Sequence, residues 1–263
     1  MWLKNNSDTF FLIAGPCVVE SEEICFEIAA QLVAITNELN IPFIFKASYK
    51  KANRTKLDSF TTIGEEKALQ ILADAKAHFN IPILTDVHET TDCNKVKDIV
   101  DIIQIPAFLC RQTELLIAAG KTEKTVNIKK GQFVSAEMMQ FAVDKVLSTG
   151  NNNILLTERG TMFGYNDLLV DFRNIPLMQQ TGFPVVFDAT HSVQQPNKSD
   201  GISGGKPEFI ETLAKCAIAA GANGVFLETH PNPSKALSDG TNMLALSEVK
   251  GLLEKLVKIK NPL

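Results

Sequence analysis

The sequence predicts a single (β/α)8 barrel, an α/β TIM barrel that spans residues 1–263. Short apolar runs alternate with amphipathic stretches along the whole chain, and together they make eight strand–helix units. The runs are apolar on both faces, as buried parallel strands must be. The length of 263 residues is also typical of one such barrel. A doubly wound sheet is the alternative, but its usual glycine-rich strand–helix turn, G-x-G-x-x-G or a Walker-type motif, is absent from the sequence.

Eight apolar runs are the predicted strands. In chain order they cover residues 11–18, 42–47, 82–87, 102–108, 125–128, 154–157, 184–189 and 224–228. The sequence Asn-Ile-Pro precedes two of them, at 40–42 and 80–82, and Thr-Gly-Phe-Pro precedes a third at 181–184. These are residues that end one element and begin the next, so they support the assigned boundaries.

Eight amphipathic stretches are the predicted helices. They cover residues 21–37, 65–79, 92–100, 112–119, 136–147, 167–180, 207–220 and 244–258. In the first stretch Ile24, Ile28, Leu32 and Ile35 recur at spacings of three and four residues, which is typical of a helix with one apolar face.

Composition excludes several classes of protein. The chain carries 26 Lys and Arg against 30 Asp and Glu, a net charge of −4, which predicts no general binding of nucleic acid. No apolar run approaches the roughly 18–20 residues of a membrane helix. The start of the chain also departs from a signal peptide, because Pro16 precedes Cys17 and four polar residues follow Lys4. We therefore expect a cytoplasmic protein that binds no membrane, with its five cysteines as thiols.

Polar side chains follow the predicted strands at their carboxyl ends, where barrel enzymes carry their chemistry. Five of them are cations from the second, fifth and sixth units: Lys46, Lys51, Arg54, Lys129 and Arg159. For any one of these cations, a neighbouring carboxylate is as good an explanation as a ligand. For the whole set, a substrate with more than one phosphate or carboxylate group is the better explanation.

A second group of side chains has the character of metal ligands. Cys17, His191, Glu228 and Asp239 belong to the first, seventh and eighth units, which are neighbours in a closed barrel. A thiol, an imidazole and two carboxylates suit one divalent transition-metal ion, Fe²⁺, Zn²⁺ or Mn²⁺. Taken singly, each has a simpler explanation, since a cysteine at a strand end is most often buried packing.

Nine ordered motifs between Ile13 and about Leu246 resemble those of the 3-deoxy-D-manno-octulosonate 8-phosphate synthases, also called 2-dehydro-3-deoxyphosphooctonate aldolases. The motifs are IAGPCVVES (13–21), FKASYKKANRT (45–55), ILTDVHE (83–89), DIIQIPAFLCRQT (101–113), VNIKKGQF (126–133), ERGTMFGYNDLLVDFR (158–173), FDATHSVQ (187–194), FLETHPNP (226–233) and ALSDGTNML (236–244). The resemblance implies a homotetrameric barrel that condenses phosphoenolpyruvate with D-arabinose 5-phosphate and water. The products are the eight-carbon sugar acid phosphate, a lipopolysaccharide precursor, and inorganic phosphate.

The resemblance also implies roles for particular residues. The phosphoenolpyruvate site corresponds to Lys46, Lys51, Gln104, Ala107, Lys129 and Arg159. The arabinose phosphate site corresponds to Asn53, Arg54 and Thr55, with Arg54 contributed across a subunit interface, and Asp86 corresponds to the residue that orients the sugar.

Within this family, asparagine at the position of Cys17 marks a metal-free branch and cysteine a metal-dependent one. Cys17, His191, Glu228 and Asp239 therefore resemble the metal site of the second branch. We predict catalytic roles for Cys17, His191, Lys129 and Arg159: the metal positions the attacking water or, alternatively, the sugar aldehyde, and the two cations stabilise the leaving phosphate.

The chain departs from the family pattern at a few positions. Lys50 stands where an aspartate is usual, and we expect it to add a cation near the mouth of the barrel. Thr55 replaces serine, Thr61 to Gly64 replace a segment with arginine and Pro-Gly, and Lys206 stands where some members have arginine.

Three other functions remain open at this point. The nearest is the related synthase that condenses phosphoenolpyruvate with erythrose 4-phosphate, against which Asn53 argues, because that family typically has Lys-Pro-Arg-Thr here. A metallohydrolase would need the metal ligands but not the five cations. A sugar-phosphate binding protein would need the cations but would release no phosphate from phosphoenolpyruvate.

Overall fold

Eight parallel strands close into a barrel in the computed structural model, which describes residues 10–54, 57–162, 167–195 and 204–260. The strands are β1 Phe11–Gly15, β2 Phe43–Lys46, β3 Ile83–Asp86, β4 Ile102–Ile105, β5 Thr125–Lys129, β6 Ile154–Glu158, β7 Val185–Asp188 and β8 Gly224–His230. Each strand pairs with the next in the chain, and β8 returns to pair with β1, Phe11 opposite Gly224 and Gly15 opposite Glu228. The predicted (β/α)8 barrel is confirmed.

A helix follows each strand. The helices are α1 Glu22–Glu38, α2 Glu65–Phe79, α3 Thr90–Val96, α4 Thr113–Gly120, α5 Met139–Leu147, α6 Asn174–Gln179, α7 Ile210–Ala219 and α8 Leu246–Lys260. The start of α1 shows why the boundaries were predictable: the Ser21 hydroxyl accepts the backbone N–H of Ile24 at 3.2 Å, as the first residue before a helix commonly does. No helix among the described residues is long and apolar enough to cross a membrane.

The sixth helix is much shorter than predicted. The sequence predicted a helix over 167–180, but α6 spans only Asn174–Gln179. The preceding backbone is engaged elsewhere, because Leu169 and Thr161 form an antiparallel bridge with N–H···O bonds of 3.0 and 2.8 Å. Pro176 lies in the first turn of α6, where its missing N–H costs no helical hydrogen bond.

Two layers of apolar side chains hold the barrel together. The interior layer contains eight strand residues that are at most 2% exposed: Phe11, Ile13, Ile44, Leu84, Ile102, Leu155, Val186 and Phe226. The outward-facing strand residues pack with the helices in a larger, continuous core. The interior is therefore filled with side chains, and only the carboxyl ends of the strands are left to form a site.

Candidate active site

A cavity of about 1090 Å³ lies at the carboxyl ends of the strands. Twelve of the predicted site residues line it: Lys46, Lys51, Asn53, Arg54, Asp86, Gln104, Ala107, Lys129, Arg159, His191, Glu228 and, from the loop after β8, Asp239. Cys17 lies two residues beyond the end of β1, fully buried, with its Sγ 3.2 Å from the Asp239 carboxylate. Thr55 lies outside the described residues.

Two of the five cations already have carboxylate partners inside the barrel. Lys46 Nζ lies 2.8 Å from Glu228 Oε1, and Lys129 Nζ lies 2.6 Å from Asp188 Oδ2. Burial lowers the pKa of Lys129. Burial also opposes the charge on Lys46, but the carboxylate of Glu228 raises its pKa above the ordinary value. The simple explanation, a neighbouring carboxylate, therefore holds for these two lysines.

The other three cations have no carboxylate within ion-pair distance in the part of the chain that the structure describes. They are Lys51, Arg54 and Arg159. Arg159 Nη2 donates to the neutral oxygens His191 O and Gln194 Oε1, at 3.0 and 2.8 Å, and its buried Nε has no partner among the described residues. Within the described segments, Arg54 Nη1 likewise donates to backbone carbonyls, those of Leu57 and Ser59. These three positive charges can accept anionic groups from a ligand.

The ring of Phe226, in the interior layer of β8, lies next to two of these lysines. Lys129 Nζ lies 3.9 Å from the centre of this ring and Lys46 Nζ lies 5.6 Å from it. An aromatic face attracts a desolvated cation, so the ring stabilises both of these buried ammonium groups.

Asp188 is a site residue that the sequence did not single out. Its carboxylate is completely buried and has four partners: Lys129 Nζ, His191 Nδ1 (2.8 Å), His191 N (2.9 Å) and Thr190 Oγ1 (3.1 Å). Burial alone would raise the pKa of Asp188, but His191 and Lys129 hold it well below its ordinary value. Because Asp188 occupies Nδ1 of His191, the Nε2 atom is the one that faces Glu228 Oε2, at 3.6 Å.

Three of the four predicted metal ligands converge closely. One donor atom each of Cys17, Glu228 and Asp239 lies within 4.8 Å of the others, and His191 lies beside this group through its contact with Glu228. Burial first, and then the charge of Glu228, raise the pKa of the Cys17 thiol, which donates to Asp239. The donor set fits a divalent transition-metal ion, whose binding would displace the thiol proton. Asp188 holds Nδ1 of His191, and a carboxylate on the second ring nitrogen is usual for histidines that bind a metal through the other nitrogen.

Asp86 and His88 form a polar pair on another wall of the cavity. Asp86 Oδ2 lies 3.2 Å from His88 Nε2, while the buried atoms Asp86 Oδ1 and His88 Nδ1 have no partner among the described residues. Burial opposes ionisation of Asp86, but the hydrogen bond to His88 and the charge of Lys46 lower its pKa well below the ordinary value. The pair has hydrogen-bonding capacity left for the hydroxyl groups of a ligand.

Gln194 is a second residue that sequence reasoning missed. Its Oε1 accepts from Arg159, and its Nε2 lies 3.4 Å from Asp239 Oδ1, so it connects Arg159 with the group of Cys17, Glu228 and Asp239. The available signal was its place in the motif after β7, but a glutamine carries no charge that would have marked it.

Two of the departures from the family pattern have structural explanations. The expectation that Lys50 adds a cation to the mouth is wrong: Lys50 does not line the cavity but pairs with Asp92 at 2.8 Å and Glu65 at 3.3 Å. In the segment without arginine and Pro-Gly, the Thr62 hydroxyl donates to Tyr49 O at 2.8 Å, and Lys51 N donates to Thr61 O at 2.8 Å. Thr61 and Thr62 thus hold the loop after β2 by hydrogen bonds.

The fold and the cavity together define a class of protein. A closed barrel with unpaired cations and a thiol–carboxylate group at the carboxyl ends of its strands is typical of enzymes that act on small anionic substrates. The chain belongs to the DAHP synthetase I family, whose model matches residues 3–263, and within it to the 2-dehydro-3-deoxyphosphooctonate aldolases.

The similarity to curated proteins extends over nearly the whole chain. It is 51% identical over 253 residues to the 2-dehydro-3-deoxyphosphooctonate aldolase of Brucella anthropi, covering 96% of this chain and 91% of that protein. It is 54% identical over 253 residues to the protein of that name from Koribacter versatilis, covering 95% and 91%. For that of Granulibacter bethesdensis the identity is 52% over 251 residues, covering 95% and 89%. The resemblance seen in the nine motifs is confirmed at the level of the family.

Proposed function

We propose that the protein condenses phosphoenolpyruvate with D-arabinose 5-phosphate and water to give 3-deoxy-D-manno-octulosonate 8-phosphate and inorganic phosphate. The observation that carries this proposal is the presence of three cations without carboxylate partners, Lys51, Arg54 and Arg159, around one cavity. Two phosphorylated substrates supply the anionic groups that these cations lack. The shared name of the relatives favours this reaction over condensation with erythrose 4-phosphate.

The reaction uses the electrons of the double bond between carbons 2 and 3 of phosphoenolpyruvate to join carbon 3 to the aldehyde carbon of the sugar, and the aldehyde oxygen takes up a proton to become a hydroxyl group. The oxygen of water adds at carbon 2, and the bond between carbon 2 and the phosphate oxygen breaks, so that phosphate leaves with its oxygen. The water oxygen becomes the keto oxygen of the product, and its two protons balance those taken up by the aldehyde oxygen and the phosphate. Lys129 and Arg159 bind the phosphate and stabilise the charge that develops as it leaves. Both are almost completely buried, so their charges act in a medium of low dielectric constant.

The other end of the cavity suits the sugar. Asp86 and His88, with their unpartnered atoms, orient the hydroxyl groups, and Asn53 and Arg54 at the rim bind the terminal phosphate. Thr55 is proposed as a further phosphate contact from the resemblance alone, since it lies outside the described residues.

We propose that Cys17, His191, Glu228 and Asp239 hold one divalent ion per chain, Fe²⁺, Zn²⁺ or Mn²⁺. When bound, such an ion acts as a Lewis acid that orients and acidifies water or polarises the aldehyde. Asp188 keeps the Nδ1 atom of His191 occupied, so that Nε2 remains available as a ligand. Chelation followed by titration with each metal tests this part: turnover that is unchanged in stripped protein contradicts it.

The assembly that we propose is a homotetramer. Large apolar side chains stay exposed on the barrel around the fourth and fifth units, among them Phe108, Phe133 and Phe141 at 48, 51 and 60% exposure. Large exposed apolar side chains on one part of a surface favour a contact with another subunit. Arg54 lines the cavity of its own chain, whereas the resemblance implies that it serves a neighbouring subunit. Mixing inactive Arg54→Ala and Lys129→Met chains decides between the two sites: recovery of activity supports the contribution across the interface, and no recovery contradicts it.

The decisive assay measures phosphate release from phosphoenolpyruvate by anaerobically purified protein. Arabinose 5-phosphate and erythrose 4-phosphate are offered in parallel, and the sugar acid product is identified by mass. We expect turnover with the five-carbon sugar. A preference for erythrose 4-phosphate identifies the related synthase instead, and no release with either sugar favours a binding protein.

A further inference from the structure

The side chain of Lys50 points away from the cavity and contacts a group of charged residues on α2 and α3. Its Nζ lies 2.8 Å from Asp92 Oδ1, 3.3 Å from Glu65 Oε1 and 5.3 Å from the centre of the Tyr49 ring. The Lys50 side chain is 15% exposed and that of Asp92 1%. An ion pair this far from solvent is screened little and holds its geometry better than a surface pair.

Asp92 connects Lys50 to the wall of the cavity that contains His88. While its Oδ1 binds Lys50, its Oδ2 accepts the backbone N–H groups of His88 and Glu89, each at 3.1 Å. Burial alone would raise the pKa of Asp92, but Lys50 and these two amides lower it, so the carboxylate is charged at neutral pH. The ring of His88 in turn pairs with Asp86 at 3.2 Å. One buried carboxylate therefore joins Lys50 to the Asp86–His88 pair.

On its other side Lys50 is continuous with the loop that supplies the rim of the cavity. Lys51, Asn53 and Arg54 follow it directly, and all three line the cavity. The loop is tied to its own return segment by backbone contacts, such as Lys51 N to Thr61 O, whereas Lys50 ties it to α2 and α3. The position of the rim relative to Asp86 and His88 thus depends on this side chain.

We propose that Lys50 is a positioning residue: its bridge to Asp92 sets the part of the loop that carries Asn53 and Arg54 at the correct distance from Asp86 and His88. The inference rests on the proposed function, because Asn53, Arg54, Asp86 and His88 are assigned there to the two ends of the sugar phosphate. Lys50 touches no substrate itself. Its loss should therefore weaken recognition of arabinose 5-phosphate more than recognition of phosphoenolpyruvate, because Lys51 is the one phosphoenolpyruvate residue on this loop. The others, Lys46, Gln104, Ala107, Lys129 and Arg159, lie on or next to strands.

The test compares Lys50→Met with a matched control, Lys95→Met. Lys95 belongs to the same charged group, 3.0 Å from Glu65 and 3.8 Å from Asp92, and its loss removes the same charge, but it lies on α3 and is not attached to the loop. For Lys50→Met we expect the KM for arabinose 5-phosphate to rise roughly tenfold, because small displacements of binding groups are costly. The KM for phosphoenolpyruvate should stay within about twofold. Lys95→Met should leave both constants unchanged, and Lys50→Arg should restore much of the loss.

Several outcomes contradict the inference. It fails if the two KM values rise together, if Lys95→Met has the same effect as Lys50→Met, or if Lys50→Met behaves as wild type. Should Lys50→Met not fold, Asp92→Asn, which removes the charge of the bridge but keeps its shape, takes its place, and an unchanged KM for arabinose 5-phosphate in that variant contradicts the inference. Wild-type protein without turnover on any aldose phosphate is a different result, because it refutes the proposed function.

Discussion

Replacement of Asp188 by asparagine tests how the centre of the site is organised. The carboxylate is fully buried and joins Lys129 to His191, with contacts of 2.6 and 2.8 Å. Asparagine has nearly the same shape and keeps an oxygen for the N–H of His191 and the hydroxyl of Thr190. It lacks the negative charge, so the ammonium of Lys129 loses its ion-pair partner among the described residues.

The size of the effect follows from burial. Removing one partner of a buried ion pair costs about 3–5 kcal/mol, because the other charge is left uncompensated. We expect the loss in the free energy of unfolding to be near the lower limit, about 3 kcal/mol. Asparagine keeps some of the hydrogen bonds, and the ring of Phe226, 3.9 Å from Lys129 Nζ, still stabilises the ammonium group. In a chain of this size that lowers the thermal midpoint by roughly 6–12 °C. Since Asp188 also holds His191, metal affinity on our proposal falls roughly 10–100-fold.

The measurements are equilibrium unfolding in urea and metal content after dialysis at a fixed free metal concentration. Glu38→Gln is the control, because the pair of Glu38 with Lys250 has a similar length of 2.6 Å but is exposed, 59% and 43%, and should contribute less than about 1 kcal/mol. An Asp188→Asn protein that matches this control in stability and the wild type in metal content refutes the reasoning.

Three further predictions concern the metal ligands, pH and the barrel. Cys17→Asn should lose bound metal, and its remaining turnover should no longer respond to added metal, whereas Cys216→Ser, at an exposed thiol, should retain both. The lowered pKa values of Asp188 and Glu228 contribute stability above their unfolded values of about 4, so the free energy of unfolding should fall as the pH drops below about 4.5; constant stability down to pH 3 contradicts this. In urea unfolding, Gly15→Ala should destabilise the protein by at least about 2 kcal/mol, since the new Cβ would lie 2.1 Å from Lys46 O. The control Gly251→Ala, whose Cβ meets open space on α8, should be neutral or stabilising.

The regular parts of the fold were predictable because each strand is a local apolar run between residues that stop a helix. The second helix agrees with its predicted range, 65–79, to the residue. Helix α6 was not predictable in this way, since the Thr161–Leu169 bridge that shortens it pairs two backbone segments of the connection between β6 and α6 and has no pattern in the sequence. Local periodicity reports on the face of an element, whereas such a bridge depends on the path of the connection.

The sequence predicted which residues belong to the candidate site, but it did not predict which of them form ion pairs with one another. Topology alone brings the ends of the strands together, so Lys46, Lys129 and Arg159 had to share one cavity. Lys50 shows the limit of that reasoning, because it stands next to Lys51 in the sequence but turns to Asp92 and Glu65. Which way a side chain in a loop points depends on carboxylates from other elements, and adjacent residues can face opposite ways.

The net charge of −4 says little about this site, because the interaction between two charges weakens with distance and is screened by salt, so that nearby charges dominate. Glu228 illustrates the point, since its Oε1 binds Lys46 and its Oε2 faces His191, while one of its oxygens belongs to the group with Cys17 and Asp239. The same carboxylate thus neutralises Lys46 in the half of the cavity that carries the cations. It also contributes to the other half, where Cys17 and Asp239 suit a metal ion. A cation bound by Glu228 would draw its charge away from Lys46 and leave that lysine freer to bind an anion. The two halves of the cavity are therefore electrostatically linked through one buried side chain, a relation that depends on the closure of the barrel, where β8 meets β1 beside β2.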